Sequence, residues 1–402
     1  MPTFSFWQRL GAAEDLACDV AVVGGGIAGV STAYWLRRLR PNARVALVEG
    51  HRLAHGASGR NAGFLLQGAG SDYALDVARH GRETARRLWA LTRENRDSLL
   101  AELDPAAFTF EPAGSLVAAG TPEEGARLRT AVPMMRADGY PAAYLTPADL
   151  HRRIKGQGFF GGLYVTTGGT LDPAALVRHI AARSEATVLE HHLVSDVHHW
   201  GKRLVLETRE RRVVADRVVF ALNAYAPLLL PSLAAYVRPV RAQMLATERM
   251  LPRWLSQPVY SHDGFFYIRQ HPSGHVLVGG ARHLHEAHEV GHDDATTGAL
   301  QADLEAYLQQ HFPHTQGVKV ERRWSGVMGF SPDGLPVVGT VPGSDGALFA
   351  CGFTGHGMAY GFRVGRMLAE LALGLPAADA DLFAPERLTT GGQAGKGDDW
   401  KL

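Results

Sequence analysis

Cysteine is nearly absent from this chain: Cys18 and Cys351 are the only two in 402 residues. That number gives no basis for a disulfide framework or a cysteine-built zinc site. An excess of charge is missing too, since the formal net charge is +1, and nothing general draws the chain to nucleic acid or to an anionic membrane. Met1 to Ala17 has no sustained apolar core and carries Arg9, Glu14 and Asp15. It does not read as a secretory signal, and a cytoplasmic location is expected. Only Val218 to Val237 runs without charge for about the length of a bilayer span. It holds Asn223, Pro227, Pro231, Ser232 and two tyrosines, so a buried strand Val218–Leu222 and a proline-bounded turn or helix are expected there, with no integral membrane segment. No Ser-His-Asp or paired-carboxylate constellation stands out.

What is present is ordinary in bulk and specific in pattern. Hydrophobic content of 46% and charged content of 20% are those of a globular protein, and the length fits two domains. The chain is organised around Asp19 to Glu49. Apolar Val20 to Val23, the turn Gly24-Gly25-Gly26-Ile27-Ala28-Gly29, a helical stretch to about Arg40 and a second apolar run, Arg44 to Val48, form a βαβ unit that Glu49 closes. Gly24 turns the chain sharply off the strand, Gly26 leaves room for a pyrophosphate, and Gly29 lets the helix pack closely on the sheet. The anion then rests on backbone N–H groups at the positive helix end, where Ile27 and Ala28 lie. Glu49 stands 20 residues beyond Gly29, where a carboxylate accepts hydrogen bonds from an adenosine ribose and argues against a 2′-phosphate.

The following loop brings Gly56, Ser58, Arg60 and Asn61 together, a flexible backbone with three side-chain donors. Tyr73 to Leu103 predicts one long helix, Phe108 to Ala119 a hairpin, and Thr121 to Asp138 a helix. Thr146 caps another helix with Pro147 at its first position, and Pro173 opens one that runs to about Arg183. Arg238 to Gln243, Gly264 to Arg269 and His275 to Gly280 fit a half-buried antiparallel sheet able to roof a ligand, with Tyr267 facing it. His283, His285, His288 and His292, with Glu286, Glu289, Asp293 and Asp294, have the donors of a zinc site. Their spacing fixes no common face, so a solvated loop without metal is expected. Trp324 to Gly339 precedes a strand Ala347–Ala350, the turn Cys351-Gly352-Phe353-Thr354-Gly355-His356-Gly357-Met358-Ala359 and a helix to about Leu373. A second positive helix end is thereby predicted.

These motifs, in this order and over nearly the whole chain, resemble the flavoenzyme superfamily of D-amino acid oxidase, glycine oxidase, sarcosine oxidase and gamma-glutamylputrescine oxidase. The resemblance implies FAD and disfavours NAD. It implies that Gly24 to Gly29 hold the FAD pyrophosphate and that Gly56 to Asn61 lie along the dinucleotide. Val194 and Asn223 join the cofactor-binding positions, Val194 by contacting adenine. Gly352, Gly355, His356, Gly357 and Met358 then wrap the isoalloxazine, whose reduced form a helix end would stabilise. With no cysteine near Trp324, FAD is expected to be non-covalent. The implied reaction removes a hydride from a carbon next to nitrogen, with flavin N5 as acceptor, and gives an imine that water hydrolyses. The implied substrate is a small amine or amino acid, and the final electron acceptor is oxygen or another oxidant. Such chemistry requires positioning more than a strong base, and His356, Tyr267 and Arg60 are the catalytic candidates.

Three departures matter. Glycine oxidase grips its substrate carboxylate with an arginine where this chain has Met328, and monomeric sarcosine oxidase uses a lysine where it has Ala359. The sarcosine oxidase lysine credited with assisting oxygen reduction falls near Val278. A carboxylate clamp is not visible at those places. The expected substrate is therefore an amine, a larger amino acid derivative, or a carboxylate held by Arg60, Arg241 or Arg269. A flavin dehydrogenase of a hydroxy acid and a non-catalytic FAD-binding redox module are the alternatives. The expected fold is α/β, with an FAD-binding Rossmann-like domain from 1–90, 151–228 and 321–388. An α+β substrate domain with an antiparallel sheet takes 91–150 and 229–320, and 389–402 form a flexible tail.

Overall fold

The computed structural model describes residues 5, 7, 13–68 and 72–390. The tail expected over 389–402 lies, beyond Thr390, outside the described residues. Near the amino terminus β1 (Leu16–Val23), α1 (Ile27–Leu39) and β2 (Val45–Val48) form the expected βαβ unit. All four residues of β2 are buried, as a parallel strand covered on both faces requires. β1 pairs in parallel with β2 on one side and with Arg212–Phe220 on the other.

The first sheet has eight strands. Asp196–Trp200, Arg203–Glu207, Arg212–Phe220, β1, β2 and Thr187–Leu189 follow one another across it. Arg212–Phe220 is forked: its start pairs antiparallel with Arg203–Glu207, and its end pairs in parallel with Ala347–Cys351. That last strand leads into α2 (Gly357–Ala372). α1 and α2 share one apolar core, in which Tyr34 and Trp35 meet Phe362.

The second sheet also has eight strands, in the order Val320–Phe330, Arg238–Arg249, His275–Gly280, Phe266–Gln270, Val259–Ser261, Ser115–Ala118, Gly162–Val165 and Ala142–Leu145. It is antiparallel apart from the pairing of Val259–Ser261 with Ser115–Ala118. Helix Gly298–His311 covers one face, with Leu300, Leu304 and Leu308 in one core with Leu245, Ile268 and Val278. The fold is the α/β architecture the sequence predicts, a Rossmann-like half beside an α+β half.

Several local expectations change. Tyr73 to Leu103 is two helices, Tyr73–His80 and Arg82–Glu102, because Gly81 at φ 79° adopts a backbone conformation that side chains disfavour and ends the first. Phe108 to Ala119 is no hairpin: Glu111–Pro112 pairs with Gly169–Thr170, whereas Ser115–Ala118 enters the second sheet. Alternating residues look the same whichever strand lies beside them. Gly162–Val165 and Val320–Phe330, inside ranges expected for the FAD domain, are strands of the second sheet. Val218 to Val237 is the end of a buried strand followed by short helical turns. Among the described residues no helix is long and apolar enough to cross a membrane.

Candidate active site

One cavity of about 700 Å³ is lined by residues of both halves. Every residue singled out for the cofactor lines it except Gly29 and Gly352. Gly29 lies behind the turn, where a Cβ would stand 1.9 Å from the Gly24 carbonyl oxygen. Gly352 is held behind the second turn by its N–H, which donates to Asn223 Oδ1 at 3.0 Å.

At one end the lining is mostly backbone. Gly24, at φ 114°, makes the turn off β1. Glu49 Oε2 accepts from the Gly25 N–H at 2.6 Å, and Oε1 accepts from the His51 N–H at 2.7 Å. Ser58 Oγ accepts from the Ile27 N–H at 2.9 Å, so the second glycine segment closes against the start of α1. Neither α1 nor α2 has a capping side chain or an acid in its first turn. Apart from the Ile27 N–H, which Ser58 accepts, both positive ends are left to whatever occupies the cavity. A Cβ at Gly26 would approach Ser58 Oγ to 3.0 Å and begin to fill the cradle. Two helix starts, a fixed carboxylate and the apolar Val194 are the donor and acceptor set that an adenine dinucleotide requires.

The other end is aromatic. Tyr260 packs edge-on to Phe64 at 5.2 Å and to Tyr267 at 6.1 Å, and the His356 ring lies 6.1 Å from Tyr260. Burial pushes Tyr267 up to about 12 and Tyr260 higher still, so both remain phenols at neutral pH. His356 Nδ1 is 2.9 Å from the Thr354 carbonyl oxygen. A carbonyl only accepts, so Nδ1 carries the proton and Nε2 is the bare acceptor. Burial holds this imidazole below its ordinary pKa and keeps it neutral. Met328 and Ala359 both line the cavity. Val278 does not; it is fully buried in the core of the second half.

The arginines named for a carboxylate are engaged elsewhere. Arg241 and Glu289 form a buried ion pair at 2.9 Å, joined by Gln243. Arg269 Nη1 donates to the carbonyls of Ala62, Gly63 and Leu171, and it does not line the cavity. Arg60 lines it but is paired with Asp294 at 2.7 Å and donates to the Ser325 carbonyl. The cation facing the aromatic end is Arg282, which the sequence pattern does not single out, as it does not single out Tyr260. Its signal is the glycine pair before it: a Cβ at Gly279 would lie 2.2 Å from the Tyr267 ring. A strand that ends in two glycines beside an aromatic strand is making room.

The histidine-rich loop is tied down rather than solvated throughout. His285 meets Asp303 at 2.6 Å, His292 Nε2 meets the Ala224 carbonyl at 3.0 Å, and Glu289 is 1% exposed because it neutralises Arg241. Among the described residues no group of three or more His, Cys, Asp or Glu is placed to hold a metal ion.

Residues 19–371 match the family model described as FAD dependent oxidoreductase (DAO). Gamma-glutamylputrescine oxidoreductase of Escherichia coli (strain K12) is 26% identical over 383 residues, which cover 92% of this chain and 86% of that protein. Glycine oxidase of Geobacillus kaustophilus (strain HTA426) is 26% identical over 364 residues, covering 88% and 92%. The crystal structure of glycine oxidase from Geobacillus kaustophilus aligns with a TM-score of 0.75 at 24% identity, covering 92% of this chain and 98% of the other. That of L-proline dehydrogenase from P. horikoshii gives 0.76 at 22% identity, covering 94% and 99%. At such identities the two structures speak for the fold. With the family model spanning both sheets and both glycine turns, the chain belongs to the DAO family of FAD-dependent oxidoreductases.

Proposed function

We propose that the protein oxidises the C–N bond of an amine or amino acid to an imine, which water then hydrolyses. The observation that carries this reading is one continuous cavity, in which a glycine-built cradle continues into an aromatic end holding a neutral histidine. FAD supplies, when bound, the hydride acceptor at its N5. Gly24, Gly26, Ile27, Ala28 and Ser58 would hold its pyrophosphate, Glu49 its ribose, Val194 its adenine, and Gly355, Gly357 and Met358 the ring system. Neither cysteine lines the cavity, which favours non-covalent binding. Tyr260, Tyr267 and Phe64 wall off water and set the face that the substrate carbon presents. His356 Nε2 accepts an N–H of the substrate and leaves the nitrogen lone pair free on the reacting side. Arg60 orders the wall through Asp294 and Ser325 instead of touching substrate.

Within this proposal the chain divides as the sequence predicts, with Gly162–Val165 and Val320–Phe330 moved to the substrate half, and the location is cytoplasmic. The test is to follow flavin bleaching without oxygen against primary and secondary amines, D- and L-amino acids and hydroxy acids. Bleaching by a nitrogen-bearing class is expected, and the rate of recolouring in air tells oxygen from another acceptor. Bleaching by hydroxy acids alone, or by nothing on a fully loaded flavin, would overturn the reading.

A further inference from the structure

Arg282 follows the strand His275–Gly280 and lines the aromatic end of the cavity. Its guanidinium carbon lies 5.1 Å from the Phe265 ring centre and 4.8 Å from that of Phe330. Its Nη1 is buried and has no hydrogen-bond partner. Glu286 acts on it electrostatically without forming an ion pair, and a buried guanidinium N–H left unbonded is costly to hold. Its retention points to a partner that arrives with the ligand. Aromatic rings at the flat faces leave the N–H edges free, in the fork geometry that matches a carboxylate with two hydrogen bonds.

The surroundings specify the sign of that ligand. Among the described residues Glu49 is the one acid lining the cavity, and it belongs to the cofactor end, bound to the Gly25 and His51 amides. Nothing at the aromatic end would partner a second ammonium group, and Arg282 would repel one. Phe330 is two residues beyond Met328 on the same strand. The cation therefore reaches, from a neighbouring segment, the wall where Met328 leaves none. Burial lowers the pKa of Arg282, yet a guanidinium stays charged at neutral pH.

Resting on the reading of the site given above, we propose that Arg282 binds a carboxylate of the substrate, so that the enzyme takes an amino acid or another carboxylate-bearing amine and discriminates against simple amines and polyamines. The test uses three probes of one shape and different charge: phenylacetate, phenylacetamide and phenethylamine. Each is titrated into the FAD-loaded protein, with binding followed by calorimetry and by the shift of the flavin absorption. Phenylacetate should bind most tightly, and Arg282→Met should weaken it about 30-fold, as loss of a charge-assisted pair implies. Phenylacetamide should change by less than about twofold, with flavin content unaltered, because only the ionic part of the interaction is removed. Arg282→Lys, which keeps the charge and loses the fork, should weaken phenylacetate about tenfold and serves if the methionine variant does not fold. Unchanged phenylacetate binding in either variant, or tighter binding of phenethylamine than of phenylacetate to the parent, would overturn the proposal. A protein that takes up no FAD would instead defeat the cofactor assignment, and calorimetry with the same three probes would still report on Arg282.

Discussion

The two ends of the cavity are made of different material. At the end proposed for the cofactor the decisive features are backbone: a turn at Gly24, N–H groups of Gly25, Ile27 and His51 that fix Glu49 and Ser58, and two helix starts without a capping side chain of their own. At the substrate end they are side chains, an edge-to-face set of Phe64, Tyr260 and Tyr267 with Arg282 and His356 around it. Backbone sites accept few residue types at fixed spacing and so change little. A wall of side chains can be rewritten one residue at a time, as Met328 and Ala359 illustrate. The difference teaches where substitution is freest: the cradle tolerates few residue types, and the wall tolerates many.

Substitutions can break that contrast or sharpen it. The largest effect is expected in the substrate half from Glu289→Ala, which strands Arg241 as a buried charge and should cost about 3–5 kcal/mol in urea unfolding. A parent-like midpoint would mean that the loop after Arg282 is not anchored as described. At the other end Gly29→Ala adds one methyl 1.9 Å from a carbonyl oxygen that cannot move aside. About 3 kcal/mol of stability should be lost, along with flavin retention read from the ratio of visible to ultraviolet absorbance. Acid should act next. Burial lowers the pKa of His283 and His311, and that of His262 from 6.5 to about 4, all in the substrate half, while His356 at the cavity is lowered too. Below about pH 6.5 the unfolded chain binds protons that the folded one refuses, so stability falls as pH drops from there towards the folded values. Melting temperatures between pH 7.5 and 4.5 should decline, and His262→Gln should flatten the decline. Ser58→Ala removes the oxygen facing the Ile27 N–H and should weaken FAD about fivefold, near 1 kcal/mol, in equilibrium titration of the apoprotein. Smallest of all, Asp294→Asn breaks a pair whose partners are 24% and 59% exposed. Less than about 0.5 kcal/mol should be lost, and the loss should vanish in high salt.

The same contrast explains what could be read in advance. The βαβ unit, Glu49 and the second strand, turn and helix were legible because each is a short stretch whose glycines sit at required positions. Thr146 was legible as a cap because a threonine before a proline is an equally short local signal, and its reciprocal bonds with Asp149 are present. Gly81 was missed as a break since its helical neighbours on both sides share one pattern, and only its φ reveals the interruption. Ser115–Ala118 was misplaced because its partners come from residues 162–165 and 259–261, far along the chain. Arg282 was invisible for the deepest reason. Sequence shows a cation among many cations, and its distinction is that it lines the cavity with an unbonded Nη1, whereas Arg60 and Arg241 are held in ion pairs and Arg269 lies outside the lining.

The forked strand Arg212–Phe220 also sets a timetable. Its first half pairs with the strand just before it, so that corner of the sheet can assemble while the chain is still being made. Its second half waits for Ala347–Cys351, and α1 waits for α2, contacts that join opposite ends of the polypeptide. Closing such distant pairings is slow and leaves apolar strand surface open meanwhile. The proposed nucleotide cradle is therefore completed only after Ala347–Cys351 and α2 have been made, and cofactor capture would follow that late step, joining stretches far apart in the sequence.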